Sequence, residues 1–403
     1  MSAYLEPPDP TSELSRKAAI VGIGETDFAI DYRAEHQTGT QTDLASRVDS
    51  LMSLALDRAL EDAGLHRRDI DGVYLMPEMV EPSQRSIKAL GLAPTFVQYG
   101  GWLNHLGNAA ALLAADRAKT VALIFAAPFR SAARVFGGTD WHGAARDSYY
   151  YYHPWRWSSQ AAHWALMYQR YVSKHRVDPD DLGHVAVSLR RHAMLAENSI
   201  MTEPLTVDEY CSSRYIVQPL RRLDICLVND GAVCVIMQHA DVAKRGPHDP
   251  VFIAGWAYEA VRHSKLECMV KQLLQPLLAI AGSQALDMAG MSLGDIGHAA
   301  LYDPSSIQLV NQLEGFGFVM PGEGLDFIKD GNIGLNGALP ANTSGGMLSQ
   351  SYMAGWNNLV EVVRQLRHEA GERQVPGVNA SLFATSTTDT TNPYVLTRGD
   401  ERG

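Results

Sequence analysis

Three short stretches of this chain recur in the same order, and that recurrence limits the folds open to it more than any single motif does. AAIVGIG at 18–24 is echoed by VFIAGWA at 251–257, each an apolar run closed by glycine, which reads as a buried strand and its turn. ALEDAGLHRRDIDGVYL at 59–75 is echoed by ALDMAGMSLGDIGHAALY at 285–302. Here Ala59, Leu60, Ala63, Gly64, Asp69 and Ile70 match Ala285, Leu286, Ala289, Gly290, Asp295 and Ile296, a helix end, a glycine stop and a second strand, twice. GGWL at 100–103 matches GGML at 345–348, each opening an amphipathic helix that runs into an apolar strand, TVALIFAA at 120–127 and ASLFATS at 380–386. The chain is therefore expected to hold two similar α/β halves packed together, with mostly parallel strands covered by helices.

A different kind of sequence separates the repeats. Residues 128–222 include DSYYYYHPWRWSSQAAHWALMYQRYVSKH at 147–175, dense in Tyr, Trp and His, and a capped helix at 178–198. Asp178 is placed as its N-cap, Pro179 as its first residue, and Asp180 and Asp181 suit the positive end of its dipole. LDICLVNDGAVCVIMQ at 223–238 reads as two buried strands joined by an Asn-Asp-Gly turn. The expected layout is a first half at 16–127 with 223–250, an inserted, mainly helical loop domain at 128–222, and a second half at 251–403. Trp155, Trp157 and Trp164 suit either a lid over a large apolar ligand or a protein interface. His153 and His163 read as structural histidines or as proton carriers.

A formal charge of -11 argues against a nucleic-acid or anionic-membrane surface, either of which needs clustered Lys and Arg, so a small molecule or a protein is the expected partner. No run approaches the roughly 20 apolar residues that cross a bilayer, and MSAYLEPPDPTSELSRK lacks the apolar core of a secretory signal; a cytoplasmic protein is expected. Cys211, Cys226, Cys234 and Cys268 are scattered, which fits buried structural thiols rather than a zinc site or a disulfide framework.

Taken together, the two halves with an inserted loop domain, DGA at 230–232, EGFGFVMPGEG at 314–324 and NTSGG at 342–346 resemble the thiolase superfamily, in the branch of the sterol carrier protein-type thiolases. The likeness runs from about residue 16 to 398. It implies a layered αβαβα fold with a mixed five-stranded sheet in each half. It also places the family's functional positions on this chain. The nucleophilic cysteine falls at about Gly101, in YGGWLN, where there is no thiol; the Asn or His of the second motif falls on Tyr302, followed by Asp303; the histidine of the third falls on Tyr352; and the last cysteine position, in SLFATS, has no thiol.

Thiolysis and Claisen condensation need an acyl-enzyme on a thiolate, so an ordinary thiolase is not expected. The pattern resembles the subgroup long labelled lipid-transfer proteins, aldolases of steroid side-chain degradation that split a β-hydroxyacyl-CoA into a ketone or aldehyde and a shortened acyl-CoA. The thioester carbonyl already accepts the electrons of the broken bond, so neither a Schiff-base lysine nor a metal is required, provided hydrogen-bond donors line the oxyanion. The resemblance makes Tyr302, Tyr352 and Asp303 the catalytic candidates, with Tyr352 as base and Tyr302 as donor to the enolate, and Asp303 either tuning a tyrosine or capping a helix at Ser305 or Ser306. Asn342, Ser344, Gly345, Gly346 and Gly101 are the candidate substrate contacts, the glycine pair through its backbone N–H groups. No cofactor is expected in this chain. The resemblance further implies a homodimer and a small partner protein of OB fold with a zinc ribbon, which would carry the zinc. A catalytically silent lipid-binding or scaffold protein would have lost the same cysteines and is the alternative.

Overall fold

The computed structural model describes residues 13–33, 41–101, 103–133, 154, 159–261 and 274–399. In chain order the strands are β1 (Ala18–Glu25), β2 (Gly72–Pro77), β3 (Phe96–Tyr99), β4 (Thr120–Pro128), β5 (Tyr215–Val217), β6 (Leu220–Arg221), β7 (Asp230–His239), β8 (Val251–Trp256), β9 (Glu259–Ala260), β10 (His298–Leu301), β11 (Ala380–Ser386) and β12 (Thr390–Arg398). All but β5 and β6, which form a separate ribbon, join one sheet in the order β10-β11-β12-β8-β1-β7-β4-β2-β3, with β9 on β12.

The repeat is visible in that order. Outward from the centre, β1 is antiparallel to β7, β7 to β4, and β4 is parallel to β2; in the other half β8 is antiparallel to β12, β12 to β11, and β11 is parallel to β10. The two sheets expected from the sequence are not separate. They meet where Ala19 and Ile20 pair with Phe252 and Val251, so one ladder runs through both halves.

Glycine spacing explains why each half packs its outer helix so closely. The helix Gln41–Ala63 buries Val48, Met52, Ala55, Ala59 and Ala63 against the first half, and a Cβ on Gly22 would fall on the Ala59 carbonyl oxygen and 2.8 Å from the Ala63 Cβ. In the second half a Cβ on Gly255 would fall on the carbonyl oxygen of Ala285, in the helix Leu274–Ala289, and 2.8 Å from the amide nitrogen of Ala289. Both helices end at a glycine with positive φ, Gly64 at 66° and Gly290 at 65°, where only glycine avoids strain. Past each stop, a carboxylate closes the next turn on the backbone, His66 N–H donating to Asp69 and Ser292 N–H to Asp295, both at 2.8 Å.

Three cores give the five layers. One joins Gln41–Ala63 to the outer face of the first half; a second joins Leu274–Ala289 and Ser306–Gly315 to the outer face of the second half. The third lies between the halves around the helices His105–Ala114 and Trp356–Arg367, with Leu106, Leu113, Trp356, Leu359 and Val363 buried.

Between β4 and β7 come the helices Gln160–His175, Gly183–Met194 and Val207–Ser212. Asp178 accepts from the Asp180 N–H at 3.0 Å with Pro179 in the first turn, but the turn it caps is 3-10, and the α-helix begins only at Gly183. Trp164 and His163 are buried, and Trp164 packs into the second-half core, so it is no lid residue; Trp155, Trp157 and His153 lie outside the described residues. The segment 223–238 forms one strand rather than two. Asp230 and Gly231 belong to β7, paired with Pro128 and Ala127, and the Asp230 carboxylate accepts from the N–H groups of Arg130 and Ser131 and from Arg47. A fully buried Asp with that many donors closes a loop onto the sheet; it does not make a hairpin turn.

Candidate active site

The carboxyl ends of two parallel strands build the site, the usual place for one in an open α/β sheet. Tyr302 follows β10 directly, and Thr385 lies near the end of β11. Across from them, a turn beginning at Gly345 leads through a single π-helical turn, Gly346–Gln350, to Tyr352 and then to the helix Trp356–Arg367.

Gly345 and Gly346 hold φ values of 95° and 58°, and neither has room for a side chain. A Cβ on Gly345 would meet the Cα of Ala193 at 2.9 Å, and one on Gly346 would fall on the Asp303 carboxylate. That carboxylate fills the turn from inside. Its Oδ2 accepts from the Met347 N–H at 2.9 Å and from the Leu348 N–H at 3.4 Å, while Oδ1 accepts from the Asn358 amide at 3.1 Å. Asp303 therefore does not cap the Ser306 helix, and its acceptor oxygens are turned to the turn and to Asn358 rather than to the candidate tyrosines. The N–H groups around the glycine pair are also occupied, Gly345 donating to the Asn342 carbonyl at 2.9 Å and Gly346 to the Ser344 hydroxyl at 3.4 Å. The expectation that this turn offers N–H groups to a thioester gives way to an internal anion in a backbone nest.

Asn342 has a structural task as well. Its side chain accepts from Leu301 N–H at 2.7 Å and donates to Leu301 C=O at 2.8 Å, extending the edge of β10 in place of a neighbouring strand. Both amide ends of Asn342 are engaged with Leu301, which gives the residue a structural task beside the expected contact with substrate. Gly101 stands apart from the tyrosines: it is exposed, with φ of 93°, at a turn whose Gly100 carbonyl bonds His105 Nε2 at 2.8 Å. The residue of that segment that reaches the site is Leu103. A Cβ on Gly355 would touch Leu103 at 3.0 Å, Thr385 at 3.2 Å and Tyr302 at 3.3 Å, so these three side chains converge.

The two candidate tyrosines do meet, their phenol oxygens 3.4 Å apart and both residues buried. Tyr302 is buried, and burial first, then the neighbouring Tyr352, lift its pKa well above the ordinary phenol value, so it stays protonated. The ring of Phe129 packs 5.6 Å from that of Tyr352. Asn229 fixes the backbone there, accepting from the Tyr352 N–H and donating to the Ser351 hydroxyl, each at 2.8 Å. Burial also raises the pKa of Asp303, to about 7, against the downward pull of the Asn358 amide and the Met347 and Leu348 N–H groups.

One thiol lies near this pair. Cys226 is buried, its N–H donates to the Pro304 carbonyl at 3.0 Å, and it lies close enough to Tyr302 and Asp303 to be electrostatically coupled to both. Burial holds its pKa far above the thiol range, so it is a packing thiol without the thiolate a nucleophile needs. Beneath the turn, His298 is bonded to Ser381 and Thr343, and Thr343 donates to Glu361 at 2.8 Å, which pairs with Arg373 at 3.0 Å. His192 bonds the Asn342 carbonyl at 3.2 Å. Both histidines are pushed down to about 4 by burial and serve as neutral struts.

Comparison with known proteins places the geometry in a family. Residues 259–394 match the family described as thiolase C-terminal domain-like. A steroid side-chain-cleaving aldolase of Thermomonospora curvata is 31% identical over 371 residues, covering 88% of this chain and 92% of that one. A 17-hydroxy-3-oxo-4-pregnene-20-carboxyl-CoA lyase of Mycobacterium tuberculosis is 32% identical, covering 95% of this chain and 100% of that one. The chain belongs to the thiolase-fold steroid side-chain-cleaving aldolases. A solved member of this kind, an Ltp2-ChsH2(DUF35) aldolase, superposes with a TM-score of 0.84 at 28% identity, covering 97% of this chain and 100% of that one. Human mitochondrial 3-ketoacyl-CoA thiolase, at 14% identity and a TM-score of 0.67, shares the fold alone. As a member of this aldolase family the chain is a carbon–carbon lyase acting on an acyl-CoA, and its site of two phenols with a protonated thiol accords with chemistry that forms no acyl-cysteine.

Proposed function

We propose that the chain cleaves a steroid side-chain β-hydroxyacyl-CoA by a retro-aldol reaction, giving a steroid ketone or aldehyde and acetyl-CoA or propionyl-CoA. The observation that carries this reading is the buried pair of phenols, Tyr302 and Tyr352, 3.4 Å apart. In the step, Tyr352 as phenolate takes the proton of the β-hydroxyl, the C–O bond becomes a carbonyl, and the Cα–Cβ bond breaks with its electrons flowing into the thioester as an enolate. A proton returned to Cα completes the shortened acyl-CoA, so atoms and charge balance with no cofactor.

Tyr352 is proposed as the proton acceptor and Tyr302 as the donor that steadies negative charge, first on the Tyr352 oxygen and then on the enolate. An ordinary phenol is a weak base at neutral pH, and a second phenol donating to it lessens that handicap by sharing the charge. Asp303 is assigned a positioning role, holding the turn that delivers Tyr352. Ser344 contributes to the same turn. Leu103 and Thr385, beside Tyr302, are proposed to border the acyl group.

We further propose a homodimer formed along β3, which among the described residues pairs only with β2. A small protein with an OB fold and a zinc ribbon is proposed as a second partner, holding the zinc that this chain is not expected to carry. A cytoplasmic setting suits an acyl-CoA substrate and the unpaired Cys211, Cys226 and Cys234. The test is direct: the purified protein, with and without such a partner, is incubated with 17-hydroxy-3-oxo-4-pregnene-20-carboxyl-CoA, and the free steroid ketone and propionyl-CoA are measured by mass spectrometry. Absence of cleavage of this and of the acetyl-releasing homologue, with the partner present, would overturn the proposal.

A further inference from the structure

Away from the tyrosines, a cavity of about 520 Å³ opens between the end of β1, the helix Gln41–Ala63, residues 197–198 and the helix Trp356–Arg367. Its walls hold five carboxylates, Glu25, Asp27, Glu61, Asp62 and Glu197, against two guanidinium groups, Arg58 and Arg364. Several of these charges are already answered. Arg58 pairs with Asp27 at 2.8 Å, Arg364 with Glu25 Oε2 at 2.7 Å, and Arg367 with Asp62 at 2.8 Å. What remains is Glu61 and Glu197, both exposed and without an ion-pair partner among the described residues, and one oxygen of Glu25.

Glu25 is 4% exposed, lines the cavity, and its Oε1 has no hydrogen-bond partner among the described residues. A buried carboxylate oxygen without a donor is costly, and a donor brought from outside would relieve that cost. The rest of the wall defines the donor. Ile23, Ala29 and Ile30 line the same cavity, and Ile30 is 68% exposed, giving an apolar flank beside the carboxylates. An alkyl stem ending in a positive head matches both features, the stem on the isoleucines and the head at Glu25.

We propose that this cavity is a docking site for an arginine or lysine side chain of a partner polypeptide. Charge complementarity favours a polypeptide whose basic residue is flanked by apolar ones, since Ile30 stands outside the acidic group and would otherwise remain bare. The chain's net charge of -11 would draw such a partner in. The site is independent of the aldolase reading and lies on residues given no part in it.

The experiment uses the full chain and a fluorescein-labelled, amidated Leu-Arg-Leu-Arg-Leu peptide, followed by fluorescence anisotropy at low ionic strength, with citrulline replacing arginine as the control. The arginine peptide is expected to bind at least tenfold more tightly than the citrulline peptide. The double variant Glu61→Gln, Glu197→Gln is expected to weaken it at least fivefold, and Ile30→Ser at least threefold; all three side chains are on the surface, and circular dichroism checks the fold. Equal binding of the two peptides, or unchanged binding by the double variant, overturns the proposal. Spermidine displacing the peptide while Ile30→Ser leaves affinity unchanged also overturns it, in favour of a small polyamine site.

Discussion

The phenol oxygens of Tyr302 and Tyr352 lie 3.4 Å apart, although fifty residues separate them and each arrives from a different element, the end of β10 and the exit of a π-helical turn. Tyr352→Phe removes the proposed acceptor and leaves the ring on Phe129 in place. Turnover of the steroid acyl-CoA is expected to fall by roughly 100-fold or more, the usual scale of general acid–base catalysis, with KM little changed. Steady-state kinetics on the variant checks this, and wild-type kcat would remove Tyr352 from the mechanism. Tyr302→Phe is expected to lower kcat as well, since the oxygen it loses is the proposed donor.

Cys226 provides the opposite expectation. Its thiol is buried near Tyr302 and held protonated. Cys226→Ala should retain turnover to within about threefold, and iodoacetamide should leave Cys226 unmodified in the folded protein, as peptide mass mapping would read. A loss of activity to the level of the tyrosine variants would point to covalent chemistry instead.

Gly346→Ala places a methyl group on the Asp303 carboxylate in backbone with a φ of 58°. The turn cannot keep both, and destabilisation of roughly 2 kcal/mol or more is expected by chemical denaturation. Gly101→Ala meets the buried ring of His105, which is bonded to the Gly100 carbonyl, in backbone with a φ of 93°, so a loss of similar size is expected, and a change under about 0.5 kcal/mol for either variant would show that its turn relaxes.

Asp303 gives stability a pH dependence of definite sign. Its folded pKa, about 7, lies above the unfolded value, so the native state holds the proton more tightly. The resulting stabilisation is complete below about pH 4 and is lost as pH rises through 7, on the order of a few kcal/mol. His192 and His298 act in the reverse direction: held down to about 4, they contribute stability that is present above pH 6.5 and lost as pH falls toward 4. Urea unfolding at pH 5.5 and 8 should therefore show a flatter alkaline limb for Asp303→Asn than for the wild type, and a flatter acid limb for His298→Asn.

Asn342→Ala deletes two hydrogen bonds to Leu301 at a residue with a φ of 48°. A loss of about 2–3 kcal/mol is expected, and Asn342→Gly should recover part of it because only the backbone term is relieved. Equal losses for the two would show that the positive φ carries no strain.

The duplicated fold was legible because its markers are local. Gly22 with Ala59 and Gly255 with Ala285 are spaced by contact geometry that each half must satisfy separately, and so are the stops at Gly64 and Gly290. The pairing of Tyr302 with Tyr352 was accessible only through likeness to a known family, since nothing in two isolated tyrosines specifies a distance of 3.4 Å. The sequence was ambiguous where one residue type serves two ends. Asn342, Asp303 and the glycine pair look equally like ligand contacts and like self-contained turn hardware, and only their partners, Leu301, Met347 and Asn358, separate the two. Leu103 and Thr385 carried no signal, because an apolar residue and a threonine are chemically unremarked until Gly355 brings them to Tyr302.

The two borders of the sheet differ. At β10 the backbone of Ala299 is bonded to Pro340 and Asn342, and the Asn342 side chain takes both groups of Leu301, so that border is sealed by the chain itself. At β3 no described strand lies beyond. A ladder sealed at one end and open at the other can add one copy of itself head to head, and then both ends of the joined ladder are sealed. Growth by strand pairing would thus stop at two molecules, with the Asn342 amide closing the far border of each copy.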